Sequence, residues 1–259
     1  MHTMEEKKQA FERLLLIMED LRAQCPWDKK QTMQTLRHLT IEEVYELADA
    51  IMDNEIQEVK KELGDILLHM VFYAKIASES NHFDIADVLN SICEKLIHRH
   101  PHIYADVKVQ DATEVSQNWE KLKLKEGNKS VLGGVPSSLP ALIKAMRIQE
   151  KARAVGFDWE NEKQVFEKVE EELGEFKTEL ANGNSEKAED EFGDLLFALV
   201  NFARFKNINP EEALERTNKK FIRRFQFMEE RLKEKELSFD QLSLTEMDVY
   251  WNEAKQKGL

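Results

Sequence analysis

Apolar residues recur at three- and four-residue intervals along most of the chain, and strand-like alternation is sustained nowhere. A first helix is expected over 6–23, where Phe11, Leu14, Leu15, Met18 and Leu21 share a stripe. Cys25-Pro26-Trp27-Asp28 breaks it. Thr40 reads as the N-cap of the next helix, with Glu43 three residues on completing a capping-box pattern. That helix runs to about Asp53, with Ile41, Val44, Ala48 and Ile51 as its apolar face. A helix over 55–79 is expected to turn Leu63, Ile66, Leu67, Met70, Val71 and Ala74 inward. After a turn from Asn81 to Asp84, a helix over 85–99 stops before Pro101. Residues 113–126 read as helical again and carry Trp119.

Residues 127–140 hold three of the nine glycines and two of the five prolines, which marks a linker. The pattern then repeats. Helices are expected over 139–154, 161–181, 185–206, 210–235 and 244–256, the last carrying Trp251. The expected organisation is all-α, with a domain over 1–126, a linker over 127–140 and a domain over 141–259.

The repetition extends to acidic residues. Residues 42–46 read E-E-V-Y-E and 62–65 read E-L-G-D; residues 171–175 read E-E-L-G-E and 191–194 read E-F-G-D. One offset of 129 relates the sets (172 minus 43, 194 minus 65). A constant register across several motifs marks a duplicated unit.

Composition narrows the function. Charged residues make up 34 % of the chain and the formal net charge is −13. Such a surface argues against direct nucleic-acid binding, which needs basic residues, but admits a polyphosphate if a divalent cation lies between. Two cysteines, Cys25 and Cys93, build no disulfide framework. The start, M-H-T-M-E-E-K-K, lacks a signal-peptide pattern and no apolar run nears bilayer length, so a cytoplasmic protein with no membrane contact is expected.

Residues three and four apart share a helix face, so Glu172 with Glu175 and Glu191 with Asp194 project together. A short A-N-G-N turn makes the two helices antiparallel neighbours, and four carboxylates converge on one seam. Glu43, Glu46, Glu62 and Asp65 repeat the arrangement. Clustered carboxylates resist ionising together, and oxygen-only donors suit Mg²⁺ or Mn²⁺. A single E-x-x-E among 50 acidic residues is usually a solvated face. Here the motif is duplicated, and Gly64-Asp65 and Gly193-Asp194 interrupt very apolar runs. Glycine inside a helix costs about 1 kcal/mol relative to Ala, which suggests close helix approach at a site.

Basic residues follow each acidic set: Lys95, His98, Arg99, His100 and His102 in the first half, Lys219, Lys220, Arg223 and Arg224 in the second. Arg forks match phosphate oxygens, although such a cluster alone is more often a face paired with nearby Glu. The alternating histidines do not have helical ligand spacing. His69 lies one turn beyond Asp65, its counterpart is Ala198, and it reads as packing.

Taken together, these motifs resemble the MazG nucleoside triphosphate pyrophosphohydrolases. The resemblance is carried by the two E-E-x-x-E and E-x-x-D sets, with support from C-P-W-D-K-x-Q-T (25–32), R-H-P-H (99–102), S-L-P-A-L (138–142), V-G-F-D-W (155–159) and K-F-x-R-R-F (220–225). It implies two tandem helical-bundle domains, a homodimer, and Mg²⁺-dependent hydrolysis of nucleoside triphosphates to monophosphate and pyrophosphate. It also implies wide base tolerance and a role against non-standard nucleotides. The implied metal ligands are Glu172, Glu175, Glu191 and Asp194, with Glu43, Glu46, Glu62 and Asp65 as first-half equivalents. Lys168, Lys187, Lys220, Arg223, Arg224 and Trp251 would contact nucleotide, and Arg37 or Lys61 would serve phosphates in the first half. H-R-H stands in the first half where R-R-F stands in the second. Glu171 or Glu42 is the candidate for positioning or deprotonating the attacking water. Competing readings are a narrower dimeric dUTPase-like enzyme and a non-enzymatic helical scaffold. A di-iron bundle needs two inward E-x-x-H motifs, for which only Glu79 and His82 offer a match.

Overall fold

The computed structural model describes residues 1–109, 111, 115, 118–119 and 130–259. Among these every regular element is a helix. The chain divides into two units, Met1–Val109 and Gln110–Leu259. Most of the helix expected over 113–126 lies outside the described residues; Trp119 is half-buried.

The first unit contains α1 (Met4–Gln24), α2 (Met33–Met52), α3 (Ile56–Ser78), α4 (Ile85–Arg99) and the single turn α5 (Pro101–Tyr104). Thr3 and Glu6 close a capping box on α1. Thr32, not Thr40, caps α2: its hydroxyl accepts from the Thr35 amide at 3.2 Å and Thr35 Oγ1 accepts from the Thr32 amide at 2.9 Å. Thr40 instead sits inside the helix. Its hydroxyl donates back to the Leu36 carbonyl at 3.1 Å and lies 2.6 Å from the Tyr73 hydroxyl. A threonine can satisfy itself one turn back as well as at a cap, so the T-x-x-E pattern marked the wrong turn.

The covered face of α2 also differs from expectation. Leu36 and Ala50 are buried and Thr40, Glu43 and Leu47 half-buried, whereas Ile41, Val44 and Ile51 are exposed. On α3, Val71 and Ala74 are buried as expected, but Leu63, Leu67 and Met70 are exposed. Glu62, His69, Phe72 and Ala77 are buried instead. Met18 of α1, Leu36 of α2 and Val71 and Phe72 of α3 form the core. Each helix carries two apolar stripes, and the one containing the acids is the one that packs within the unit.

The second unit contains α6 (Ala141–Ala154), α7 (Glu162–Ala181), α8 (Ser185–Phe205), α9 (Pro210–Glu234) and α10 (Leu244–Gln256). Helices α7 and α8 form the counterpart of α2 and α3. The two connections use a left-handed residue at the same register, Asn54 (φ 58°) and Gly183 (φ 68°). Asn and Gly are the residues that enter this region most readily. Helices α6 and α9 pack on α8, and α10 packs on α9. Val169, Leu195 and Ala198 form one core cluster; Met228, Leu232 and Tyr250 form another.

The uncovered stripe recurs in register. Leu173, Leu180, Phe192, Leu196 and Leu199 are exposed, as are their first-unit counterparts Val44, Ile51, Leu63, Leu67 and Met70. The close helix approach expected at Gly64 and Gly193 is absent within the described residues: a Cβ at either would meet nothing within 4 Å. Both glycines lie beside the exposed stripe.

Candidate functional site

The paired helices bring acids together twice. One carboxylate oxygen each from Glu172 and Glu175 of α7 and Glu191 of α8 lies within 4.8 Å of the others. Glu43 and Glu46 of α2 and Glu62 of α3 form the same trio. Asp194 and Asp65 stand outside that spacing but close enough to act electrostatically on Glu191 and Glu43. The two trios are not identical in depth. Glu172 is the buried member in the second unit, 6 % exposed, and Glu62 in the first, 3 % exposed. The buried acid therefore comes from the first helix of one pair and the second helix of the other.

Crowding perturbs these acids. Burial, followed by Glu175, Asp194 and Glu172, pushes the Glu191 carboxyl pKa above its ordinary value. Burial, followed by Asp65, Glu46 and Glu62, does the same to Glu43. Lysines supply part of the missing positive charge. Lys168 Nζ lies 2.6 Å from Glu172 and 2.9 Å from Glu171, and these acids push the Lys168 pKa up. Lys61 Nζ lies 2.8 Å from Glu62 Oε1, while the buried Glu62 Oε2 has no hydrogen-bond partner. A crowded all-oxygen cluster with an orphaned buried oxygen fits a hard divalent cation.

A pH test follows with a definite sign. A carboxyl whose folded pKa is raised contributes stability that is complete below its ordinary pKa of 4.5 and is lost as pH rises through the raised value. A cation that relieves the repulsion should therefore raise the melting temperature little at low pH and progressively more above the ordinary carboxylate pKa. Thermal melts with and without Mg²⁺ across pH check this. A shift independent of pH would contradict it.

The remaining expected site residues are placed less uniformly. Lys187 is exposed one turn before Glu191 on α8. Glu171 and Glu42 are exposed beside the trios. Arg37 is exposed on α2. Lys220 and Arg223 are exposed on α9. Arg224 and Trp251 meet directly: the guanidinium lies 5.5 Å from the indole, and its Nε donates to the Leu259 carbonyl at 2.7 Å. Phe221 packs on the same indole, with ring centroids 5.0 Å apart. His69 is buried, as its packing role requires, and burial pushes its pKa down.

The second unit also holds a pocket of about 600 Å³, which helical periodicity does not predict. Lys168, Glu172 and Asp194 line one side, so it opens onto the acids. Gln149, Phe157, Trp159 and Asn201 are among the other lining residues. The signal available in the sequence was a difference between the halves. His69 and Phe72 are buried in the first unit, and Ala198 and Asn201 stand at their register positions. Smaller side chains leave space beside α8 that larger ones fill beside α3.

The model of the MazG nucleotide pyrophosphohydrolase domain matches residues 31–104 and again 160–227. The chain is 44 % identical over 257 residues to the nucleoside triphosphate pyrophosphohydrolase/pyrophosphatase MazG of Thermotoga maritima, covering 97 % of this chain and 98 % of that one. It is 40 % identical over 256 residues to the nucleoside triphosphate pyrophosphohydrolase of Escherichia coli, covering 95 % and 97 % respectively. A solved mazG-related protein from Thermotoga maritima aligns with 44 % of this chain and 98 % of its own, at 29 % identity and a TM-score of 0.39.

Proposed function

The chain belongs to the MazG nucleotide pyrophosphohydrolase family, and from that premise we propose that it hydrolyses nucleoside triphosphates to monophosphate and pyrophosphate, with Mg²⁺ as cofactor and a wide range of bases. The observation that carries the reading is the carboxylate trio within 4.8 Å, repeated in register in both units.

Glu172, Glu175 and Glu191, with Asp194 beside them, would hold the metal; Glu43, Glu46, Glu62 and Asp65 would do so in the first unit. Bound Mg²⁺, or Mn²⁺ in its place, would acidify a water and neutralise charge on the α-phosphoryl oxygens and the leaving pyrophosphate. Lys168 is held by Glu172 and Glu171 while the acids are uncompensated. Once their charge is met, its ammonium is free to turn to phosphate oxygens from the pocket wall. Glu171, one residue from Glu172 and exposed, orients the water that attacks the α-phosphorus. Lys187, Lys220, Arg223 and Arg224 offset triphosphate charge, and Trp251 offers an aromatic face to the nucleoside. Phe157 and Trp159 in the pocket wall suit stacking, which tolerates any base and fits removal of non-standard nucleotides.

We also propose a homodimer. Its support is the apolar stripe that both units leave exposed, from Val44 to Met70 and from Leu173 to Leu199. A stripe of this kind on a soluble helix pair marks an interaction surface, and homo-oligomers commonly bury such surfaces about a two-fold axis.

Phosphorus NMR of nucleoside triphosphate digests tests the reaction. Monophosphate plus pyrophosphate, formed only with Mg²⁺ or Mn²⁺ and from several bases, is the expected result. Diphosphate plus phosphate would point to another enzyme class, and turnover of dUTP alone would replace the wide base range with a narrow one.

A further inference from the structure

Helix α10 ends in a Schellman turn. Gly258 follows the C-cap Lys257 in the left-handed region, at φ 82°. Its amide donates to the Lys255 carbonyl at 3.1 Å, and the Leu259 amide donates to the Ala254 carbonyl at 3.2 Å. The turn brings the half-buried Leu259 against α9, where its carbonyl accepts from Arg224 Nε at 2.7 Å. The same guanidinium lies over the Trp251 indole, 5.5 Å from its centre. Trp251 is in turn packed on the cluster of Met228, Leu232 and Tyr250. Arg224 is therefore held along one edge by a carbonyl and on one face by an anchored ring. Every nitrogen of a guanidinium donates, and Nη1 and Nη2 of Arg224 make no hydrogen bond among the described residues. That end-on edge is the one left to match phosphate oxygens in pairs.

We propose that Gly258 is a positioning residue for nucleotide binding: its left-handed turn sets the Leu259 carbonyl on Arg224 Nε, so that the Nη1–Nη2 edge is oriented before phosphate arrives. The proposal rests on the reading above that Arg224 offsets triphosphate charge. An arginine free to explore its rotamers must be immobilised at the moment of binding, and one already held avoids most of that cost. The backbone requirement falls on Gly258 alone. A β-branched residue enters the left-handed region only under strain, whereas Asn enters it readily.

The test is equilibrium binding of the α,β-methylene analogue of ATP with Mg²⁺, alongside steady-state kinetics on ATP. Gly258→Val should weaken binding of the analogue about two- to tenfold, the range for immobilising one long side chain. It should raise KM for ATP by a similar factor with kcat unchanged, as for a contact made equally in the ground and transition states. Gly258→Asn should bind as the unsubstituted chain does. Arg224→Lys should weaken binding at least as much as Gly258→Val, because lysine has neither the Nε edge nor the fork. Adding Gly258→Val to Arg224→Lys should then cost nothing further, a non-additivity that general loosening of α10 would not produce. Circular dichroism shows that the helices persist in each variant. Unchanged affinity in Gly258→Val, equal losses in Gly258→Val and Gly258→Asn, or additive losses in the double variant would overturn the proposal. The expected losses in a chain that releases no pyrophosphate would refute the reaction and leave the positioning intact. Pyrophosphate release with additive losses would do the opposite.

Discussion

Glu172→Gln is expected to lower Mg²⁺-dependent release of pyrophosphate by about 10²–10³-fold in kcat, the scale of losing a principal electrostatic contact in a transition state. Glu172 is the buried member of its trio and the one that Lys168 approaches at 2.6 Å. The substitution keeps the side-chain volume, so melting temperature should report an intact fold while activity falls. Asp194→Asn should act in the same direction, because Asp194 perturbs Glu191 and lines the pocket. Glu62→Gln in the first unit gives the contrast. The second unit has the open pocket and the basic residues of α9, so most turnover should survive that change. Full activity in Glu172→Gln and Asp194→Asn, persisting when Glu43 and Glu62 are also replaced, would remove the acids from the mechanism.

The second large effect is on assembly. Replacing Leu196 or its counterpart Leu67 by Glu should convert the proposed dimer into monomers at micromolar concentration. Both leucines lie in the exposed stripes that recur in register. An unpaired carboxylate buried in an apolar contact costs several kcal/mol, and a two-fold interface meets that cost in both copies. Sedimentation velocity reads the result directly, with circular dichroism to show that the helices persist. A wild-type monomer, or a dimer that survives both substitutions, would place the oligomer interface elsewhere or remove it.

Some of this architecture could be read from the residues and some could not, for identifiable reasons. The helix over 162–181 and the acidic spacing on it follow from periodicity, and the structure brings Glu172, Glu175 and Glu191 within reach of one ion. The start of α2 is ambiguous in the sequence because Thr32 and Thr40 both have a residue able to complete a capping pattern three positions on. The inward face of α2 differs from the expected one because Ile41, Val44 and Ile51 are more apolar than the stripe containing Glu43. Periodicity finds an apolar stripe but does not say what covers it. The pocket was harder still. It arises from Ala198 and Asn201 beside Gln149, small or amide residues that matter only once α6 lies against α8. The exchange of buried acids between Glu62 and Glu172 likewise depends on packing around otherwise matching motifs.

Lys168 is a tethered rival for any cation approaching Glu172. Being on the same helix, one turn away, it stays at high effective concentration whatever the ionic composition of the solution. Free metal must displace it without offering the ammonium a new partner. A nucleotide arriving with the metal would bring phosphate oxygens able to take the ammonium over. Metal and nucleotide should therefore each strengthen the other's binding by the same factor, and the resting enzyme should hold free Mg²⁺ only weakly.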